Sequence, residues 1–96
     1  MITSADRLRR ARALIDTPDK WCQGRYHKPT GRHCSLGAMN KAMGRGKSDG
    51  FAERALYAAA AEMGDGSVVL YNDTHTHAEV MALFDRAIEI AEGAHD

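Results

Sequence analysis

Aromatic residues are scarce in this chain: 1 Trp, 3 Tyr and 2 Phe in 96 residues. With so few rings, and with alanine filling much of the apolar quota, a core must come from helices packed closely around small side chains. Such faces bury little area each, and at about 25 cal/mol per Å² they stabilise the fold only modestly. No apolar run approaches the roughly 20 residues that span a bilayer, so a membrane is not expected among the partners. The stretch 1–16 carries four arginines at helical spacing and no unbroken apolar segment, unlike a secretory signal. The chain is therefore expected in the cytoplasm, where its 2 cysteines, Cys22 and Cys34, stay reduced. A Cys22–Cys34 disulfide across a hairpin is disfavoured on those compartment grounds.

Each half of the chain is short of one sign of charge. Residues 1–54 hold 12 basic and 5 acidic side chains, whereas residues 55–96 hold 1 and 8, and the net charge is zero. Two readings follow. The halves fold against each other and neutralise, which is the favoured one for so small a domain, or the surface is bipolar with a basic face for nucleic acid or an acidic protein. The segment 21–43 holds no acid, the single tryptophan, both cysteines and two of the 5 histidines.

Periodicity and punctuation divide a single domain, 1–96, into five parts. Thr3-Ser4-Ala5-Asp6 reads as a capping box, and Leu8, Ala11, Leu14 and Ile15 form a narrow apolar stripe in an N-terminal helix within 1–17, closed by Thr17-Pro18. Residues 18–34 have turn chemistry around Pro29-Thr30-Gly31 and no helical period, which predicts a short β-hairpin. Residues 35–64 hold two helices. The first begins at Cys34 or Ser35, runs through Leu36, Met39 and Met43 and stops at Gly44; the second is capped by Ser48 or Asp49, aligns Phe51, Ala55, Ala59 and Met63, and ends at Gly64. Ser67-Val68-Val69-Leu70-Tyr71 reads as extended within 65–75. The last helix, in 76–93, opens with the Thr76–Glu79 capping box and carries Val80, Leu83, Phe84, Ala87, Ile88 and Ala91 at helical period. The expected fold class is mainly α: a compact bundle of about four helices with a small β-hairpin, a minor α+β character.

Four features also form a pattern. Trp21 precedes the hairpin; Gly31-Arg32-His33-Cys34-Ser35-Leu36-Gly37-Ala38 turns into a helix; Tyr71-Asn72-Asp73 precedes the final helix; and that helix contains Phe84-Asp85-Arg86-Ala87-Ile88-Glu89-Ile90-Ala91. Together they resemble a small domain family of unknown function found in actinobacterial and actinobacteriophage proteins. The resemblance spans residues 17–92 and departs at Tyr71, where tryptophan often precedes Asn-Asp. It implies an architecture and a phage origin, and no reaction.

Candidate chemistry concentrates in few places. At a helix start beside Arg32 and His33, Cys34 is the best nucleophile, with His75 or His77 as base and Asn72 or Asp73 to orient it; the competing role is a small buried residue at a junction, which is favoured. Cys22, His27, His33 and Cys34 are zinc-ligand types spaced C-x4-H-x5-H-C, without the C-x2-C knuckle, and His75-x-His77 adds two more; structural zinc is disfavoured, and no cofactor is expected. Asn72-Asp73-Thr74 suits a turn that holds the extended segment to the last helix better than it suits a ligand. Gly46-Lys47-Ser48 is not a phosphate-binding loop, because the glycine required five positions before Gly46 is Lys41. Trp21 and Tyr26 among Lys20, Arg25, Lys28 and Arg32 have the make-up of a single-strand surface, although Trp21 is better read as a core anchor.

These observations point to a non-enzymatic interaction module, a phage accessory protein that binds a host macromolecule through Lys20, Arg25, Tyr26, Lys28, Arg32, Arg45 and Lys47. A protein partner is expected first. Nucleic acid on residues 20–47 is the alternative, a Cys34-dependent enzyme the second alternative, and a homodimer stays open.

Overall fold

The computed structural model describes residues 2–24, 31–44 and 49–93. Among them the chain forms five α-helices and a single turn of 3-10 helix: α1 (Ser4–Leu14), the 3-10 turn Pro18–Lys20, α2 (Ser35–Met43), α3 (Gly50–Glu62), α4 (Val68–Thr74) and α5 (His77–Gly93). Helix α5 is the central element and packs against α1 on one side and α3 on the other, while α2 lies along α1 and α4 bridges α2 and α3. Leu8, Ile15, Met39, Leu56, Val68, Val80, Leu83 and Phe84 are fully buried where these helices meet.

The helix ends are made by the caps that the sequence advertises. Thr3 Oγ1 accepts from Asp6 N–H at 3.1 Å and Asp6 accepts from Thr3 N–H at 3.1 Å, closing the α1 capping box. Thr76 and Glu79 repeat it at α5, at 2.9 and 3.2 Å. Gly44, at φ 88°, takes the left-handed conformation that stops α2.

Four expectations are corrected. The hairpin of residues 18–34 does not form among the described residues. Instead Trp21 and His33 make an isolated parallel bridge, with Cys22 N–H donating to His33 O at 2.9 Å and His33 N–H to Lys20 O at 3.0 Å. Two segments running the same way cannot be joined by a tight turn, so this pairing needs support from elsewhere in the fold. The turn expected at Pro29-Thr30 lies outside the described residues. Second, Val68–Tyr71 is helical: the N-cap Ser67 Oγ accepts from Leu70 N–H at 3.2 Å, and Val68, Tyr71 and Asn72 line one buried stripe, so packing overrides the strand preference of Val68-Val69. Third, the buried face of α3 is Ala52, Ala55, Leu56, Ala59 and Ala60, not the stripe through Phe51 and Met63, which are 44% and 36% exposed. Alanines let α3 approach α5 closely, and a phenylalanine at that contact would hold the helices apart. Fourth, α1 ends at Leu14, before Thr17-Pro18.

Two ion pairs join the basic half to the acidic one: Arg9 pairs with Glu92 at 2.8 Å and Arg12 with Asp85 at 2.8 Å, linking α1 to α5, while Arg86 pairs with Glu62 at 2.6 Å inside the acidic half. Exposed pairs of this kind contribute little each, about 0–1 kcal/mol, but they occupy the cations of a bipolar surface.

Asp49 ties α3 to α1. Its carboxylate accepts from the Phe51 and Ala52 amides at 3.1 Å, from Ser4 Oγ at 3.0 and 3.1 Å, and from Arg7 at 2.8 Å. Burial alone would raise its pKa, yet the Arg7 guanidinium, the Ala52 amide and Ser4 outweigh it and hold the group below its ordinary value of 3.8. A depressed folded pKa contributes stability in full above the unfolded value, and that stability is lost as pH falls through the folded one. Asp49→Asn is therefore expected to cost about 1–2 kcal/mol in urea unfolding at pH 7. The gap to wild type should narrow below pH 3.8; a gap that stays constant into acid would contradict this account.

Candidate functional site

The candidate residues converge on Asn72, which lies on α4 and is wholly buried. Its Oδ1 accepts from Trp21 Nε1–H at 2.7 Å, Ser35 N–H at 2.9 Å and Ser35 Oγ–H at 2.8 Å. Its Nδ2 donates to Cys22 O at 3.0 Å and to Asp73 Oδ1 at 3.1 Å. Donors surround the oxygen and acceptors the nitrogen, so the orientation of the carboxamide follows from its partners.

These bonds have a simple geometric meaning. After Cys22 N–H has bonded His33 O, a parallel ladder would continue with Ser35 N–H donating to Cys22 O. Here the Asn72 carboxamide stands in that gap, accepting from Ser35 and donating to Cys22. A side-chain amide thus replaces one rung of backbone. Asp73 serves the next position, its Oδ1 accepting from Gly24 N–H at 2.9 Å. Gln23 reaches back, donating from Nε2 to Asn72 O at 3.0 Å and His75 O at 3.1 Å. The Asn-Asp pair is structural, as expected, but it clamps residues 21–24 and the start of α2 and does not tie an extended segment to the last helix.

Both described histidines of the tail close helix ends. His75 places Nδ1 2.8 Å from Tyr71 O and 3.0 Å from Thr74 Oγ1, with its ring stacked on Tyr71 at 3.8 Å. His77 places Nε2 2.7 Å from Ile15 O, beyond the end of α1, with its ring tilted against Trp21 at 5.7 Å. A carbonyl only accepts, so the nitrogens facing Tyr71 O and Ile15 O carry protons. Trp21 is half-buried and anchored by Asn72, consistent with the core role favoured for it.

Cys34 is 2% exposed and caps α2, its Sγ accepting from Gly37 N–H at 3.4 Å. Its place is the buried junction that is the favoured reading for this cysteine, and its surroundings do not favour a thiolate. Burial pushes the thiol up and the nearby Asp73 charge adds to that, against the lowering pull of the Gly37 and Leu36 amides. Cys34, Asn72 and Asp73 are brought together, whereas the bonds of His75 and His77 lead to Tyr71 and Ile15. Among the described residues no three of His, Cys, Asp and Glu gather in a way that could hold a metal ion. His27 lies outside them.

Beside the clamp is an open polar cavity of about 390 Å³, lined by Pro18, Trp21, Cys22, Gln23 and Arg32. Of the residues expected to bind a partner, Arg32 borders this cavity, and Lys20 is paired with Asp16 at 3.1 Å. Arg25, Tyr26, Lys28, Arg45 and Lys47 lie outside the described residues. Gln23 carries no signal in the sequence, and Pro18 and Ser35 stand out there only as a helix stop and a helix start. Ser35 looks like any serine opening a helix, and nothing local signals a partner at Asn72, 37 positions away.

A profile described as a family of unknown function, DUF6197, matches residues 1–90. No curated protein and no solved structure matches the chain.

Truncating Asn72 leaves Trp21 Nε1–H, Ser35 N–H and Cys22 O without their partner in a buried site. At about 1–3 kcal/mol per stranded group, and with partial rescue by water, Asn72→Ala is expected to destabilise the protein by about 3–5 kcal/mol. The Trp21 emission should shift to the red under native conditions. A loss below about 1 kcal/mol, within the range of an ordinary surface substitution, would contradict the clamp.

Proposed function

The chain belongs to DUF6197, a family of unknown function, and on that premise we propose that it is a non-enzymatic interaction module acting in the cytoplasm. It holds a protein partner on the shelf formed by residues 18–24 and 31–33. The observation that carries this reading is how the polar side chains are used. Asn72, Asp73, Gln23, His75 and His77 make scaffold hydrogen bonds, and together they present the polar cavity edged by Arg32 and Gln23 to solvent. A rigid, preorganised shelf lowers the ordering cost of association, which is what such a clamp offers a binding surface. A phage accessory role, directed at a host macromolecule, is the form that the resemblance to actinobacteriophage proteins lends to this proposal.

Arg7, Arg9 and Arg12 are engaged by Asp49, Glu92 and Asp85, so α1 adds little to a phosphate-binding face, and nucleic acid on residues 20–47 is the alternative that the test below separates from a protein partner. Burial of Cys34 and its raised thiol count against the cysteine-enzyme alternative.

The test is site-specific photocrosslinking. A benzophenone amino acid is placed at Gln23, at Arg32, or at Glu89 on exposed α5 as a control, and each protein is irradiated in actinobacterial lysate with and without nuclease. One protein adduct at positions 23 and 32, resistant to nuclease and absent at 89, is the expected result. Adducts that disappear with nuclease would move the function to nucleic acid. Equal capture at all three positions, or none at 23 and 32, would overturn the shelf.

A further inference from the structure

The parallel bridge has a chemical consequence for the two cysteines. Trp21 and His33 face each other across it, so the residues one step further along, Cys22 and Cys34, are also neighbours on adjacent segments. Side chains alternate along extended backbone, which turns both cysteines to the face opposite Trp21 and His33. Their burial agrees: Cys22 is 4% exposed and Cys34 2%, while Trp21 and His33 are half-buried. Cys22 N–H bonds at 2.9 Å to the carbonyl of His33, the residue before Cys34, which holds the two cysteines on neighbouring backbone, where a disulfide accepts Cα atoms about 4.4–6.8 Å apart. Cys22 is also one of the residues that line the open cavity beside the clamp.

We propose that Cys22 and Cys34, reduced in this structure, are a dithiol–disulfide pair that closes across the parallel bridge when the protein meets a peroxide. The Cys22 sulfur attacks one peroxide oxygen and the O–O bond breaks. Cys22 becomes a sulfenic acid, and the displaced oxygen leaves as water with the Cys22 proton. The Cys34 sulfur then attacks the Cys22 sulfur. The S–S bond forms as the S–O bond breaks, and a second water carries away the Cys34 proton. Two thiols are oxidised by two electrons and one peroxide is reduced. The order follows from position, since Cys22 is one of the residues that line the cavity while Cys34 caps the start of α2. The closed ring runs from residue 22 to residue 34 and encloses Arg25, Lys28 and Arg32, so the bond fixes both ends of the basic segment. The proposal stands on the bridge and the cavity and does not depend on the partner reading.

The test oxidises the full native chain with hydrogen peroxide, followed by intact-mass analysis and tryptic mapping without reductant. Trypsin places the cysteines in separate peptides, 21–25 and 33–41. The expected result is a loss of about 2 Da and a linked 21–25/33–41 peptide, reversed by dithiothreitol. The oxidised chain should also melt about 5 °C higher. Cys22→Ser and Cys34→Ser should each abolish the linked peptide; Cys34→Ser should leave sulfenic acid or its further oxidation products on Cys22, whereas Cys22→Ser should leave Cys34 unoxidised. Disulfide-linked dimers, over-oxidation of both thiols without linkage, or a linked peptide that forms only in urea would overturn the proposal. So would no reaction at peroxide levels that oxidise a small thiol.

Discussion

One carboxamide carries the arrangement of three chain segments that are far apart in sequence. Asn72 satisfies Cys22 on one side and Ser35 on the other, and its oxygen also receives the Trp21 indole. Asparagine is suited to this place because its side chain is an amide, with the donor and acceptor of a peptide group and no charge to bury. An aspartate would face Cys22 O with an acceptor and carry an ion into a closed site. A glutamine would overreach the gap by one methylene. The bond set therefore defines both the residue type and the separation of the segments it joins.

The parallel bridge and residues 21–24 depend on that rung. A single parallel bridge has few hydrogen bonds of its own, and the residues between its ends must be closed into a loop at an entropic cost. Asn72, Asp73 and Gln23 offset that cost by pinning residues 21–24 to α4. The Trp21 ring in turn meets His77, whose Nε2 bonds Ile15 O beyond the end of α1, so the clamp reaches α1 and α5 as well. The helices supply the frame, with alanine faces bringing α3 and α5 together and arginine–carboxylate pairs joining α1 to α5. The result is a rigid frame with one polar shelf at its edge.

What could be read from the sequence was what is local. The caps at Thr3, Asp49 and Thr76, and the stop at Gly44, depend on residues within about one helical turn, and each is in place. The buried stripe of α5 follows from its period. The errors arose where tertiary partners decided. Val68-Val69 look like strand residues, but Tyr71 and Asn72 need a helix to share a buried stripe with Val68. Phe51 looks like a core residue, but the buried face of α3 is built mostly of alanine around Leu56 and leaves Phe51 44% exposed. The turn residues around Pro29-Thr30-Gly31 suggested a hairpin, whereas the segments pair in parallel through a bond donor 50 residues from Cys22. Asn72 and Asp73 bond residues 22, 24 and 35, partners that carry no local signal.

Hydrogen exchange on the native protein, read by NMR, tests the clamp most directly. If the Asn72 rung is part of the cooperative fold, the Ser35 amide and the Trp21 indole proton exchange only on global unfolding. Their protection should then equal that of Leu83 in the core of α5. If both exchange orders of magnitude faster than Leu83 while the helices stay protected, the rung opens independently and is not the constraint that organises this fold.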